Sequence, residues 1–214
     1  MKNLFLEILF PKSCLGCNKP GTYLCQDCLS LIDISEKINR DVEILSGIFC
    51  ACDYENFLVK KLIQKFKYKP FAKNLSKTLA YLIILHFKNL QLQEFFTGQF
   101  LIIPIPLSKK RLKWRGFNQA QEIAKHISEF LELPVINNVL IKTKQTLAQT
   151  DLPKQQRKQN LKNAFTCENP EIIKNKNILL IDDVFTTGAT MIEAGKTLKS
   201  AGANRIYGIA VAKG

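Results

Sequence analysis

The 214-residue sequence has no apolar run long enough to cross a membrane. The longest run, residues 79–87, falls well short of about 20 residues and contains His86. The apolar start, residues 1–10, contains Glu7 and lacks a small-x-small cleavage site, which favours a short helix over a signal peptide. These absences predict a cytoplasmic protein without membrane insertion. The sequence also lacks a GxxxxGK[ST] loop, which argues against a P-loop nucleoside triphosphatase.

Acidic residues are scarce relative to basic ones, and the imbalance is local. The formal net charge is +13, yet residues 1–46 hold five Lys/Arg and six Asp/Glu. The rest of the chain therefore holds 26 basic and 12 acidic residues. Such a field suits a phosphate ligand, which could be a nucleotide, a pyrophosphate or a nucleic-acid backbone. Hydrophobic residues make up 46% of the chain, which predicts a sizeable core and excludes a disordered protein.

The hydrophobic pattern predicts alternating strands and helices. Strands are predicted at 48–54, 100–103, 139–141, 178–181 and 205–211. Helices are predicted at 57–66, 72–87, 118–131 and 189–201, with Asn118 as a cap and Gln121 three residues on, as in a capping box. This order predicts a mostly parallel, doubly wound α/β sheet. We expect a cysteine-bearing unit at 1–32, a connector at 33–46 and the main domain at 47–214.

Two CxxC pairs lie seven residues apart near the start of the chain. Four thiolates at this spacing are typical of a closed, tetrahedral structural Zn²⁺ site. A unit of about 30 residues has too little core to fold alone, so the metal would stabilise it. A reactive dithiol or unrelated buried thiols are the alternatives, and two matched pairs disfavour both. The predicted zinc ligands are Cys14, Cys17, Cys25 and Cys28.

The segment 178–190 carries the strongest functional signal. A fully apolar strand leads into two adjacent acids, a turn of small hydroxyl residues and a helix. In open α/β sheets, ligands bind at the carboxyl ends of the strands, and turn amides at a helix N-terminus favour a phosphate. The acids can accept hydrogen bonds from two neighbouring ribose hydroxyls. The predicted ribose and phosphate site consists of Asp182, Asp183, Val184, Phe185, Thr186, Thr187, Gly188, Ala189 and Thr190.

An ordinary strand–turn–helix with chance acids, or a Walker B strand, could also produce this pattern. The missing GxxxxGK[ST] loop argues against the second. The segment resembles the phosphoribosyl pyrophosphate motif of type I phosphoribosyltransferases, with every motif position filled. That resemblance implies a type I phosphoribosyltransferase-like fold that binds phosphoribosyl pyrophosphate, or a nucleotide monophosphate, together with Mg²⁺.

Three further segments make the resemblance more specific. They are residues 104–108 (PIPLS), 111–120 (RLKWRGFNQA), and 142–146 with 157–165. With the four-cysteine unit, they are similar over nearly the whole chain to the ComF (ComFC/GntX) family of competence-associated phosphoribosyltransferase-like proteins. One departure is Leu-Ala-Gln at 147–149, where the family often has Leu followed by Ser or Thr.

The ComF resemblance implies a zinc-binding N-terminus and a role in DNA uptake during natural transformation. By motif position, it also implies that residues 104–108 form the loop on the pyrophosphate side. The predicted pyrophosphate-side residues are Pro104, Ile105, Pro106, Leu107, Ser108 and Arg111.

Two basic segments, 107–117 and 142–164, follow predicted strands and could line the rim of the same crevice. They could bind pyrophosphate and stabilise transition-state charge, or they could track nucleic-acid phosphates while Trp114 stacks on a base. A merely solvated face is a serious competitor for 142–164 and a weak one for 107–117. A third stretch, from Lys60 to Lys69, is interpreted as the exposed face of its helix. The predicted DNA-binding residues are Lys109, Lys110, Lys113, Trp114, Arg115, Lys142, Lys144 and Arg157.

Two functions remain open from the sequence. The first is a protein that binds phosphoribosyl pyrophosphate and single-stranded DNA, with the cysteine unit docking a partner such as a competence helicase. The second is an active phosphoribosyltransferase of nucleotide metabolism or salvage without a DNA role. For the second function, the sequence indicates neither a general base nor a pocket for the acceptor.

Overall fold

The computed structural model describes residues 12–39, 42–68, 72–96, 98–143 and 161–214. Of the helices in these ranges, none combines the length and the apolar character that a membrane span requires. The helices are α1 (Gln26–Leu29), α2 (Phe57–Lys67), α3 (Leu75–Asn89), α4 (Lys109–Arg115), α5 (Gln119–Leu131) and α6 (Ala189–Ser200), with a 3-10 turn at Pro170–Ile172. The strands are β1 (Ile38–Asn39), β2 (Gly47–Asp53), β3 (Phe100–Pro104), β4 (Leu140–Lys142), β5 (Phe165–Cys167), β6 (Asn177–Phe185) and β7 (Ile206–Lys213).

The described strands form a five-stranded sheet in the order β1-β2-β7-β6-β3. Strand β1 is antiparallel to β2, and the other neighbours are parallel, as predicted. Strands β4 and β5 form a separate antiparallel pair. Strand β6 lies between β7 and β3, so its carboxyl end opens at the middle of the parallel sheet.

Side chains of β6 alternate between two cores, one on each face of the sheet. Ile178 and Leu180 pack with Met191 and Leu198 of α6. Leu179 and Ile181 pack in the core that contains α2, α3 and α5. Helices thus cover both faces, which confirms the doubly wound arrangement. The alternation also decides where the acids of β6 can point.

Strand β6 is longer than its apolar pattern predicts. It continues through the acids to Phe185, with Asp182 opposite Ala210 and Val184 opposite Ala212 of β7. A pair of carboxylates has low strand propensity, but pairing with β7, which is buried up to Ala212, outweighs it. The helix α4 and strand β5 were not predicted, and β1 lies inside the segment expected to be a connector.

The cysteine unit packs directly against α2. Helix α2 begins at Asn56, whose Oδ1 accepts from the amides of Leu58 and Val59 at 3.0 and 3.2 Å. A Cβ on Gly16 would lie 2.5 Å from Cys28 Sγ and 2.9 Å from Leu58 Cδ2, so the unit packs closely against the helix at this position. Lys61 Nζ also donates to the Leu15 carbonyl at 3.3 Å.

Candidate sugar-phosphate site and cysteine cluster

Asp182 and Asp183 lie near the carboxyl end of β6, where the sequence places a ligand site. The backbone N–H of Asp183 donates to Asp182 Oδ1 at 2.8 Å. Asp182 is partly buried, whereas the Asp183 side chain is only 9% exposed. Burial and the neighbouring Asp183 charge raise the pKa of Asp182 to about 7.

Lys67, the last residue of α2, contacts the acid pair. Its Nζ lies 2.8 Å from Asp183 Oδ1. Burial alone would lower the Lys67 pKa, but the charge and hydrogen bond of Asp183 outweigh it, so the pKa is raised. The interpretation of residues 60–69 as an exposed face is therefore wrong for Lys67, whose side chain is 23% exposed. The spacing along the helix could have indicated this, because Lys67 lies four residues after buried Ile63 and so shares its side of the helix.

Arg115 and Lys142 also lie near the acids, and Arg111 lies near these two cations. Arg111 and Arg115 share one side of α4, since they are four residues apart. Burial lowers the pKa of Arg115, and the charges of Asp183 and Asp182 act in the opposite direction. Lys142 comes from β4, where burial and the nearby Arg111 lower its pKa to about 8. The structure thus gathers acids and cations from α2, α4, β4 and β6.

The turn after β6 has a backbone that only glycine fits. Gly188 has φ +74°, and a Cβ there would lie 2.6 Å from the Phe185 ring. The Thr187 hydroxyl accepts from the Ala189 N–H at 3.4 Å, and Thr186 is exposed. The turn therefore presents a hydroxyl side chain at the N-terminus of α6, an arrangement suited to an anion.

The predicted pyrophosphate-side segment is fixed next to β6. Ile105 N–H donates to the Ile181 carbonyl at 2.9 Å and so extends the β3–β6 pairing. Asn118 Nδ2 donates to the Ile105 carbonyl at 3.0 Å. Pro104, Ile105 and Ser108 are buried, which leaves Pro106 and Leu107 as the partly exposed positions.

The predicted DNA-binding residues separate into two groups. Lys109, Lys110, Lys113 and Trp114 are exposed on α4, and Trp114 is 48% exposed with the Arg115 guanidinium 5.7 Å from its ring. Arg115 and Lys142 are half-buried beside the acids, so they belong with the acid pair and not with the exposed cations of α4. Lys144 and Arg157 lie outside the described residues.

A cleft of about 490 Å³ runs along α6. Ala189 is the residue of the predicted phosphate loop that lines this cleft. The acid pair and the cations near it do not line the cleft. Its carboxylates already have partners, since Glu193 Oε1 accepts from the Asn163 N–H at 2.6 Å and Glu43 pairs with Lys196 at 3.1 Å. The cleft is therefore distinct from the acid pair.

The four predicted zinc ligands converge. The sulfur atoms of Cys14, Cys17, Cys25 and Cys28 all lie within 4.8 Å of one another, and three of the residues are buried. Tetrahedral Zn–S bonds of about 2.3 Å require sulfur separations of about 3.8 Å, so the cluster fits zinc. Burial acts to raise the pKa of Cys14, but backbone N–H groups of Cys17, Cys25 and Gly16 lower it to about 6.

Cys50 and Cys52 are each 3% exposed on β2. Burial raises the pKa of each thiol to about 12. Both are therefore inert core thiols, and they do not join the four-cysteine cluster.

Comparison with known proteins agrees with this geometry. Residues 113–213 match the family model described as "Phosphoribosyl transferase domain". The chain is 36% identical over 149 residues to Competence protein F of Haemophilus influenzae, covering 68% of this chain and 63% of that protein. It is 35% identical over 102 residues to DNA utilization protein YhgH of Escherichia coli K12, covering 48% and 44%. It is 27% identical over 191 residues to Competence protein ComFC of Bacillus subtilis, covering 88% and 72%.

The parallel sheet and the matched domain define a phosphoribosyltransferase-like fold. The chain spans less than two-thirds of the length of Competence protein F and of YhgH. Its homologues, Competence protein F and ComFC, the matched domain and the four-cysteine cluster together confirm the resemblance to the ComF family that the motifs indicated.

Proposed function

We propose that the chain binds phosphoribosyl pyrophosphate at the end of β6 and acts in DNA uptake. The observation that carries the proposal is the convergence of Lys67, Arg115 and Lys142 on two acids that precede a glycine-containing turn, with Arg111 beside Arg115 and Lys142. A phosphoribosyl ligand combines a diol, which acids bind, with anionic ends, which cations and a helix N-terminus bind.

Each part of the ligand has a matching part of the site. In this proposal, Thr186–Thr190 would bind the 5-phosphate, and the acid pair would accept hydrogen bonds from the ribose hydroxyls. Arg111, Arg115 and Lys142 would bind the pyrophosphate. Mg²⁺, which supplies charge neutralisation when it enters with the pyrophosphate, suits this carboxylate-rich edge. Zinc at the cysteine cluster supplies stability alone, because four thiolates leave no open coordination position.

Calorimetric titration of phosphoribosyl pyrophosphate with Mg²⁺ tests ligand binding directly. Wild type is expected to bind, and Asp182→Asn is expected to lose most of the affinity. Asp33→Asn, an exposed acid before β1, is the matched control and should bind normally. Absence of heat with wild type under saturating Mg²⁺ would refute the sugar-phosphate assignment.

A nucleic-acid role is supported by the exposed side of α4. Lys109, Lys110, Lys113 and Trp114 present cations and an aromatic ring to solvent, a combination that binds single strands through phosphates and base stacking. The names of relatives, competence proteins and a DNA utilization protein, agree with a role in handling DNA, and we propose the cytoplasm as its location. A helicase of the uptake machinery is the partner we propose for the cysteine unit.

The alternative is an active phosphoribosyltransferase of nucleotide metabolism. Release of pyrophosphate in the presence of each nucleobase distinguishes it. Turnover with one base and no affinity for single-stranded DNA would favour the alternative. Binding of phosphoribosyl pyrophosphate without turnover would favour the DNA-uptake role.

A further inference from the structure

We infer that Glu193 of α6 is a positioning residue, which holds the two-stranded β4–β5 ribbon, and with it Lys142, in place beside the acid pair. The inference rests on the proposed function, because Lys142 is one of the cations assigned there to the pyrophosphate. Glu193 acts through the β4–β5 ribbon rather than by contacting the ligand.

The β4–β5 ribbon is separate from the five-stranded sheet that carries the acids. Among the described strands it forms its own sheet, with Lys142 opposite Phe165. Lys142 Nζ lies 5.3 Å from the centre of the Phe165 ring, which is buried in the same core as Met191 of α6. The Thr143 N–H donates to the Ala164 carbonyl at 3.0 Å and continues the pairing. The position of Lys142 relative to β6 therefore depends on how the ribbon is attached to α6.

Glu193 attaches the start of β5 to α6. The N–H of Asn163, which lies two residues before β5, donates to Glu193 Oε1 at 2.6 Å. A carboxylate acceptor makes such a hydrogen bond roughly twice as strong as one between neutral groups. Asn163 has φ +55°, a left-handed conformation that asparagine adopts more readily than most residues. The contact thus fixes β5 just before the strand begins to pair with β4.

The same helix carries the phosphate turn. Helix α6 begins at Ala189, directly after Gly188 of that turn, and Glu193 lies four residues further along. The phosphate turn and the anchor of the ribbon are therefore about one helical turn apart on one rigid element. This arrangement sets the separation between the groups proposed for the 5-phosphate and the cation proposed for the pyrophosphate. A ligand that carries both anionic groups is bound best when that separation is fixed.

Lys142 is sensitive to the attachment, because it is buried close to other charges. Burial and the nearby Arg111 lower its pKa to about 8, and Asp182 acts in the opposite direction. Movement of the ribbon into solvent would relieve the burial and the repulsion by Arg111, so the pKa would rise towards its ordinary value of 10.5. The pKa of Lys142 therefore reports the position of the ribbon in the absence of any ligand.

Two substitutions at Glu193 separate the hydrogen bond from the rest of the side chain. Glu193→Ala removes the acceptor, whereas Glu193→Gln keeps an oxygen that can accept from the same N–H. Asn163 is exposed and Glu193 lines the cleft along α6, so water can reach the released N–H and both variants should fold. Glu43→Gln is the matched control, because it removes a different ion pair, to Lys196, in the same cleft.

Titration with inorganic pyrophosphate and Mg²⁺, and separately with ribose 5-phosphate, tests the positioning. Glu193→Ala should weaken pyrophosphate binding by about tenfold or more and change ribose 5-phosphate binding by less than about twofold. Glu193→Gln and Glu43→Gln should stay within about threefold of wild type for both probes. Unchanged pyrophosphate affinity in Glu193→Ala, or equal weakening of both probes, would overturn the inference.

Acetylation of Lys142 over a range of pH, followed by mass spectrometry, tests the same point without a ligand. In wild type the rate should reach half its maximum near pH 8, and in Glu193→Ala this midpoint should rise by more than about one pH unit. An unshifted midpoint would show that Glu193 does not hold Lys142 in place. Failure of wild type to bind either probe would refute the proposed function, and the acetylation midpoint would still decide the role of Glu193.

Discussion

Asn118 connects the start of α5 to the segment that ends β3. Its Nδ2 donates to the Ile105 carbonyl at 3.0 Å, and its Oδ1 accepts from the Ala120 N–H at 3.1 Å. One buried amide thereby caps a helix and fixes the pyrophosphate-side segment beside β6.

Replacing Asn118 should therefore affect both stability and the site. Asn118→Ala removes the cap and the tie to Ile105, and we expect a loss of about 1–3 kcal/mol in unfolding free energy. Asn118→Asp keeps the oxygen that caps the helix but loses the N–H donor, so it tests the hydrogen bond to the Ile105 carbonyl alone. Urea denaturation and ligand titration measure the two effects. Wild-type affinity in Asn118→Asp would show that the tie does not position the segment.

The cysteine cluster should hold one zinc ion that contributes to folding. Cys17 is the exposed ligand, so Cys17→Ser removes a thiolate with little loss of core packing. We expect loss of bound zinc and a fall in melting temperature of about 5–10 °C. Metal analysis and thermal unfolding measure these changes. Cys167→Ser is the control, and an equal fall in that variant would mean that the effect is unrelated to metal.

Trp114 should contribute to single-strand binding through stacking. Trp114→Ala is expected to weaken affinity for oligothymidine by about 1–3 kcal/mol. Phe57→Ala is a close control, because Phe57 is 63% exposed and also lies near a cation, with Lys61 Nζ 4.1 Å from its ring. Fluorescence anisotropy at several salt concentrations gives both affinity and the number of phosphate contacts. Equal losses in the two variants would remove Trp114 from the interface.

The raised pKa of Asp182 predicts opposite pH effects on binding and stability. The pKa rises from 3.8 to about 7, so acidification below pH 7 protonates the carboxylate that the ligand needs. Affinity should fall, approaching about tenfold per pH unit. The folded state holds this proton more tightly than the unfolded chain, so its stabilising effect is present below pH 3.8 and lost as pH rises through 7.

Titrations between pH 5.5 and 8 in wild type and Asp182→Asn test this prediction. The variant should lose the part of the pH dependence that belongs to Asp182, while protonation of the ligand phosphates remains in both proteins. Identical profiles would place the titrating group elsewhere.

Local chemistry made much of the molecule predictable. The apolar strands, the Asn118 cap and the paired cysteines each depend on residues that are close in sequence, and all agree with the structure. The four-cysteine cluster needed no tertiary information, because two CxxC pairs at this spacing already indicate it.

The site itself was only partly predictable. Lys67 and Asp183 meet because β6 continues past its apolar residues and sends alternate side chains to opposite faces. The strand continues because it pairs with β7. The sequence around the two acids resembles a turn and gives no sign of this pairing. Arg115 and Lys142 were likewise indistinguishable from exposed cations until the fold placed them beside the acids.

Helix α2 touches the cysteine unit through Leu58 and the acid pair through Lys67, about 14 Å apart along its axis. An oxidant or chelator that removes zinc from the four-cysteine cluster would therefore act at one end of α2, whose other end places the Lys67 charge beside the acid pair. Protein stored without a reductant should lose sugar-phosphate affinity while its phosphate turn stays chemically intact. Weak binding in such a sample would indicate that the cysteines had been oxidised during storage.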